Sequence, residues 1–320
     1  MGADGLVLYE DNPGMARVYD KAFFNDSLCS VQDAQISITS SAALYGLSVY
    51  TVFTVCITEP GRAAFRLDDH YRRLTQSARM MGIDTFGLHW SRERFSDAMK
   101  ALVGANNPSE DTFIRASVHV TEVLPGTRSR GMKTTFSAFM YEAIPILPKG
   151  GVRLKTSVWR RTPDSAIPSR AKVNGAYVNS VLGKQDAIDS GYDDCIFLDG
   201  NGHVCELSAA NIFIVREGKL LTPDTASDIL EGITRKTILE LSRSMGITAF
   251  ERPIDLTELY IADEVFACGT SANITPTLEI DARKVALGTI GAITKRLQER
   301  YSNLLHGNDP EFAHFLSLVG

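Results

Sequence analysis

The chain has 320 residues, enough for two domains with separate cores. Its 44% hydrophobic and 22% charged content is that of a globular protein, and a net charge of −5 disfavours nucleic acid, which requires a basic face. Cys29, Cys56, Cys195, Cys205 and Cys268 are scattered and odd in number, so they predict a reducing compartment rather than a disulfide framework.

No cysteine pair has metal-ligand spacing, and the six histidines form no HExxH-like pair, so no metal site is expected. At the N-terminus, Asp4, Glu10 and Asp11 exclude the apolar core of a signal peptide, and Leu6 stands where a myristoylation signal needs Ser or Thr. The most apolar run, residues 42–57, is broken by Gly46, Ser48, Thr51 and Thr54 and is shorter than the ~20 residues of a membrane span. A soluble, cytoplasmic protein with no membrane partner is expected.

Residues 15–24 and 48–57, rich in β-branched and aromatic side chains, read as strands. Glu59-Pro60-Gly61 is a turn and 63–67 a returning strand. A helix follows from an Asp68 N-cap to a Gly82 C-cap, with Tyr71, Leu74, Ala78 and Met81 as its apolar stripe. On this helix Arg72 falls with Gln76 and Arg79 on a solvent face, whereas Arg73 falls beside His70, Ser77 and Met80 at the margin of the stripe. An arginine so placed either reaches inward toward an anion or lays its stem on the core with its head in water. Ser91 caps a helix to about Val103, and strands are expected over 112–120, which carries Arg115, and over 134–141. The stretch 146–151 breaks all periodicity and predicts a linker between a small N-terminal domain (1–145) and a larger C-terminal one (152–320).

Beyond the linker, 152–156 reads as a strand, 163–168 as irregular and 174–190 as a helix ending at Gly191. Residues 195–198 and 203–206 form a hairpin, continued by a strand at 211–216. A helix is expected to open at 228–235 and run to Met245, followed by a short helix (256–261), a strand (264–268) and a last helix marked by Ile290, Ile293, Leu297, Tyr301 and Leu304. Hairpins and helices mixed in both halves favour an α+β fold over a doubly wound sheet.

Lys172 lies among Ala171, Val173 and Gly175. Desolvation disfavours an ammonium, and the neutral amine is a nucleophile able to form a Schiff base; the alternative is an ordinary loop lysine. Gly232-Ile233-Thr234 at a helix start offers free N–H groups and the positive dipole end to a phosphate, or is simply a capped helix. Gly269-Thr270-Ser271 is a second hydroxyl-rich loop, and Glu206 ends an apolar strand, where a carboxylate needs a cation or water. An amine, a carboxylate for a heterocyclic nitrogen, a phenol, an arginine and two phosphate-cradling turns are together what pyridoxal phosphate requires.

Four segments in order carry a resemblance: Phe65-Arg66-Leu67-Asp68-Asp69-His70-Tyr71-Arg72-Arg73-Leu74, Arg170-Ala171-Lys172-Val173-Asn174-Gly175-Ala176-Tyr177, Leu230-Glu231-Gly232-Ile233-Thr234-Arg235 and Leu259-Tyr260-Ile261-Ala262-Asp263-Glu264-Val265-Phe266. From about Ser40 onward the chain resembles the class IV (fold type IV) pyridoxal-phosphate aminotransferases, in particular the branched-chain amino acid aminotransferases. The resemblance implies that Lys172 holds the cofactor aldehyde, is freed by the incoming amine and shuttles the proton between Cα and the cofactor C4′. It implies that Glu206 pairs with the pyridine nitrogen, Tyr177 with the ring phenolate, and Arg73 with the phosphate beside Ile233, Thr234 and Thr270. Thr270 and Ser271 then receive the substrate carboxylate, with Arg115 near that end of the pocket. Homodimers in which the small domain closes over a cofactor cleft in the larger one are implied too.

The pocket departs from the branched-chain pattern. Tyr-Gly-x-x-x-Phe-Glu-Gly is here Tyr45-Gly46-Leu47-Ser48-Val49-Tyr50-Thr51-Val52, Ser-Glu-Gly-x-x-Glu-Asn is Cys205-Glu206-Leu207-Ser208-Ala209-Ala210-Asn211, and Phe113 replaces a tyrosine. Ala210-Asn211 and Thr51 are similar to aminodeoxychorismate lyases, and 66–70 to R-selective amine transaminases. The expectation is a transaminase taking a hydrophobic, branched-chain-like amino acid, with 2-oxoglutarate as acceptor and Tyr45, Tyr50, Val52 and Phe113 shaping the pocket. The alternatives are an R-amine or D-amino acid transaminase, or a lyase, on the same cofactor.

Overall fold

The computed structural model describes residues 16–320; Met15 and the N-terminal features read above lie outside the described residues. In chain order the first elements are β1 (Val18–Phe24), β2 (Ser27–Ser30), α1 (Ser41–Tyr45), β3 (Ser48–Thr58), β4 (Gly61–Phe65) and α2 (Leu67–Met80). They are followed by α3 (Thr85–His89), α4 (Arg92–Asn106), β5 (Thr112–Val120) and β6 (Thr134–Glu142). A second series comprises β7 (Val152–Arg160), α5 (Tyr177–Asp189), β8 (Asp194–Leu198), β9 (Val204–Leu207), β10 (Asn211–Arg216), β11 (Lys219–Thr222) and α6 (Ile233–Ser244). It ends with β12 (Ala249–Glu251), α7 (Leu256–Tyr260), β13 (Glu264–Gly269), β14 (Asn273–Ile280), β15 (Arg283–Lys284), α8 (Ala292–Leu305), a 3₁₀ segment (Pro310–Phe315) and β16 (Leu316–Leu318).

The strands form two sheets. One runs β16-β4-β3-β5-β6-β1-β2 and is antiparallel throughout. The other runs β12-β11-β10-β13-β14-β7-β8-β9, with β15 against β14 and parallel pairs at β7/β14, β7/β8 and β11/β12. Helices set against both sheets, rather than regularly alternating with parallel strands, make the fold α+β.

Strand β3 is central to the first sheet and buried from Ser48 to Cys56. Its burial is continuous rather than alternating because both faces are covered. Phe53, Leu74, Phe95 and Ile114 pack in one core between this sheet and the helices α2 and α4, each contributing about 1.5–3 kcal/mol by burial. A further core joins Cys56 and Phe65 of the first sheet to Phe213 and Phe266 of the second and to Tyr301 of α8, so the sheets share apolar surface. Strand β16 returns the chain to the edge of the first sheet, pairing Leu316 with Phe65.

Several boundaries differ from expectation. Helix α2 starts at Leu67, with Arg66 rather than Asp68 as its N-cap, and Asp68 instead meets Arg92 at 2.7 Å. Helix α6 starts at Ile233, because the preceding turn is held elsewhere: Leu230 N donates to Glu206 and Leu230 O accepts from Asn211. Helix α5 starts at Tyr177, after a turn in which Tyr177 N donates to Asn174 O.

Candidate active site

The residues around Lys172 are stitched to the first sheet by main-chain bonds. Tyr50 N donates to Lys172 O at 3.0 Å, Asn174 N to Ser48 O at 2.9 Å, and Gly175 N to Gly46 O at 3.1 Å. Lys172 N donates to Ser77 Oγ on α2 at 3.1 Å. Gly46, at φ 63°, allows this approach, since a Cβ there would lie 2.8 Å from Gly175 Cα. Lys172 is therefore held by its backbone while its side chain enters a cleft between the two sheets.

The cleft has a volume of about 200 Å³ and is lined by Lys172, Tyr177, Arg73, Glu206 and residues of the turns at 232–234 and 268–271. Lys172 Nζ donates to Tyr177 Oη at 2.6 Å and lies 4.9 Å from the Tyr50 ring centroid. Burial draws the pKa of the amine down and Arg73 adds to this, while the Tyr177 phenol opposes them. For Tyr177, burial raises the pKa, but the adjoining Lys172 amine more than reverses it, leaving the phenol below its ordinary value. The Lys172–Tyr177 contact thus joins an amine and a phenol that both lose their protons more readily than usual.

Arg73 faces the cleft, as one of its two sequence readings had it. Nη2 donates to Thr51 Oγ1 at 3.2 Å, and Nε is buried with no partner. No carboxylate pairs with it among the described residues, and burial lowers its pKa to about 10, so it stays cationic at neutral pH. Thr51 Oγ1 also lies 2.7 Å from His70 Nδ1, and burial, with Arg73 next in effect, holds His70 well below its usual pKa. The Thr51 hydroxyl thus bridges Arg73 and His70. Nothing in this cluster neutralises the guanidinium.

Ile233 and Thr234 open α6, where Gly232 supplies no side-chain cap to the first-turn N–H groups. A Cβ on Gly232 would collide with Asn211 Oδ1, so the turn requires glycine. Thr270 Oγ1 donates to Val52 O at 3.2 Å, bringing the loop after β13 against β3. An unpaired arginine, a helix N-terminus and a hydroxyl loop on one cleft form an anion cradle.

Glu206, on β9, is buried, and both of its carboxylate oxygens have partners. Oε1 pairs with Arg161 at 2.7 Å, and Oε2 accepts from Asn211 Nδ2 at 2.9 Å and from Leu230 N at 3.1 Å. Burial raises its pKa, and Arg161 is the largest of the opposing influences. Sequence reasoning did not single out Arg161. It follows β7 in an Arg160-Arg161 pair, and no periodicity there shows which arginine turns inward.

Tyr50, Arg115, Thr270 and Ser271 also line the cleft. Arg115 lies 3.6 Å over the Tyr50 ring and donates to Asn174 Oδ1 at 3.0 Å. Two expected pocket residues do not line it. Phe113 shares the strand face of Arg115 but lies further along, packed beside Tyr141 with ring centroids 5.6 Å apart. Tyr45 is 50% exposed on α1, outside the cleft of the single chain, because Gly46 ends that short helix and turns the chain away. No group of three or more potential metal ligands occurs among the described residues.

The family described as amino-transferase class IV matches residues 51–280. A probable branched-chain-amino-acid aminotransferase of Aquifex aeolicus is 38% identical over 304 residues, covering 94% of this chain and 97% of the relative. The chain belongs to the class IV aminotransferases. Among solved structures, this class IV aminotransferase resembles the branched-chain aminotransferase of Thermoproteus uzoniensis with norvaline, at TM-score 0.90, 33% identity and coverage of 94% of this chain and 100% of the other. It also resembles the branched-chain amino acid aminotransferase of Thermobaculum terrenum in its PLP form, at TM-score 0.89, 31% identity and coverage of 95% and 99%. The fold is that of the fold type IV aminotransferases. For a phosphorylated aldehyde on a nitrogen heterocycle, the donor set fits: the unpaired Arg73 Nε and the open first turn of α6 suit the phosphate, the desolvated Lys172 the aldehyde, and Glu206 the ring nitrogen.

Proposed function

We propose that this class IV aminotransferase moves the amino group of a hydrophobic, branched-chain-like amino acid to a 2-oxo acid such as 2-oxoglutarate, using pyridoxal 5′-phosphate. The observation that carries the reading is the Lys172 amine, desolvated and 2.6 Å from Tyr177, in a cleft that also holds an arginine with no carboxylate partner. Pyridoxal phosphate, when bound, supplies an electron sink for the carbanion formed at the substrate Cα. Lys172 would hold the cofactor aldehyde, and its free amine is placed to move the proton to and from the substrate Cα. Tyr177 directs the lysine amine and donates to the ring oxygen. Glu206, its second oxygen fixed by Asn211 and Leu230, keeps the ring nitrogen protonated. Arg73 and the turns at 233–234 and 270 bind phosphate. Tyr50 and Val52 wall the substrate side, while Arg115 and the loop at 270–271 receive carboxylate. The test is a panel of L- and D-amino donors, with R-amines, against 2-oxoglutarate and pyruvate. Turnover of L-leucine, L-isoleucine and L-valine is expected, and activity confined to D- or R-donors would overturn the assignment.

The lowered pKa of Lys172 sets a direction for pH. The neutral amine is the reactive form, so cofactor capture by the apoenzyme should rise with pH and level off below the ordinary lysine range. Arg73→Gln removes one of the lowering influences, so its profile should move to higher pH. Pyridoxal followed by borohydride trapping of the lysine measures this without the phosphate.

We also propose two domains divided near residues 146–151, the C-terminal strand β16 rejoining the first. A homodimer is supported by an apolar surface: Leu44, Tyr45, Val123 and Leu124 are exposed on the first sheet's side, and Val178, Val181 and Leu182 on α5. The approach of Gly46 to Gly175 sets these two groups side by side, and apolar surface of this kind marks an association site. A monomer in sedimentation equilibrium at micromolar concentration would refute this. No described helix is long and apolar enough to cross a membrane; four buried free cysteines support a reducing, cytoplasmic location.

A further inference from the structure

A buried arginine outside the cleft ties together the two elements that carry the anion cradle. Arg66 precedes α2 at φ 50° and ψ 43°, a left-handed conformation that a residue other than glycine keeps only when its surroundings hold it. Its side chain is 4% exposed. Nε lies 2.9 Å from Asp69 Oδ2, on the first turn of α2, and Nη2 lies 2.7 Å from Glu240 Oε2, on α6. The guanidinium covers the Phe315 ring at 3.8 Å, and Arg66 N donates to Phe315 O at 2.6 Å.

The third contact reaches the cradle. Nη1 donates to Thr237 Oγ1 at 2.9 Å, and Thr237 Oγ1 donates its own proton to Ile233 O at 2.8 Å. A continuous hydrogen-bonded path therefore runs from the start of α2 to the first residue of α6. Arg73 stands two turns further along α2 and lines the cleft with Ile233 and Thr234.

We infer that Arg66 is a positioning residue for the cofactor phosphate: by fixing α2 to α6 through Thr237, it sets the distance between Arg73 and the open first turn at Ile233–Thr234. The inference rests on the reading that these groups hold phosphate. A role in folding alone would weaken every ligand of the cleft equally, whereas a role in setting the cradle weakens only ligands that carry the phosphate.

The test titrates the apoenzyme with pyridoxal 5′-phosphate and, separately, with pyridoxal. Arg66→Met should fold, because Asp69 retains Arg72 and Lys236, and Glu240 retains Lys236, so no carboxylate is left without a cation. It should weaken pyridoxal phosphate by roughly 10-fold or more and pyridoxal by less than about 2-fold. Thr237→Val leaves every ion pair of Arg66 in place and should shift selectivity the same way by about 3-fold; it carries the comparison alone if Arg66→Met does not fold. Equal losses for both ligands, or none, would overturn the role of Arg66. Arg73→Gln is the reference. If it too fails to separate the two ligands, the phosphate reading of the cradle falls and the inference with it.

Discussion

Lys172→Ala is expected to abolish transamination, lowering kcat by about 10⁴-fold or more, while leaving the protein folded. The backbone bonds that hold this segment, to Tyr50, Ser77, Ser48 and Gly46, involve no atom of the lysine side chain. Removing the amine even relieves a desolvated cation in the apoenzyme, so the thermal midpoint should hold or rise. Borohydride reduction followed by peptide mapping should label residue 172 in the wild type and nothing in the variant. Retained turnover would mean that another group performs the proton transfer. Tyr177→Phe separates the tasks of the pair: it keeps the amine and removes its 2.6 Å partner, so it should leave the labelling intact and slow the turnover.

Glu206→Gln is expected to be the second most damaging change, lowering kcat/KM by about 10²–10³-fold. The amide preserves shape, and its oxygen can still meet Arg161, but it holds no charge to keep a ring nitrogen protonated. Stability should fall by about 1–3 kcal/mol, since the buried Arg161 loses a charged partner for a neutral one. Arg161→Met distinguishes the two consequences. It removes the main influence that opposes burial at Glu206, so the carboxyl pKa should rise further and activity should fall as the pH is lowered, with the loss setting in at higher pH than in the wild type. A Glu206→Gln enzyme with more than about a tenth of wild-type kcat/KM would show that ring protonation does not depend on this carboxylate.

The substrate side illustrates how local pattern and assembled geometry divide the work. Helical periodicity on residues 67–80 separates Arg73 from Arg72, because 100° per residue puts the two on different faces. The structure agrees: Arg72 is on the surface and Arg73 is in the cleft. For β5, period-two alternation puts Phe113 and Arg115 on one face, but it cannot say where along that face the cleft ends. Arg115 falls inside the cleft and Phe113 beyond it, beside Tyr141.

What the sequence determined by itself were the features whose physics is local. The strands β3, β5 and β6, the stripe of α2, the glycine-opened turn before α6 and the lysine in small apolar surroundings are all set by residues within one or two turns of each other. Tertiary structure decided what depends on partners far along the chain. Asp68 is a sound helix cap by type, yet α2 begins at Leu67 because Arg66 is drawn into ion pairs and a hydrogen bond on α6, more than 170 residues away. The turn at 228–231 has a composition that a helix would accept, but Glu206 and Asn211 take its backbone groups and delay α6 to Ile233. Arg161 shows no signal in its neighbours, because its significance comes from a carboxylate on another strand. Burial supplies the common reason: it makes an unpaired charge or backbone group costly, so distant partners override local preference wherever the cleft closes.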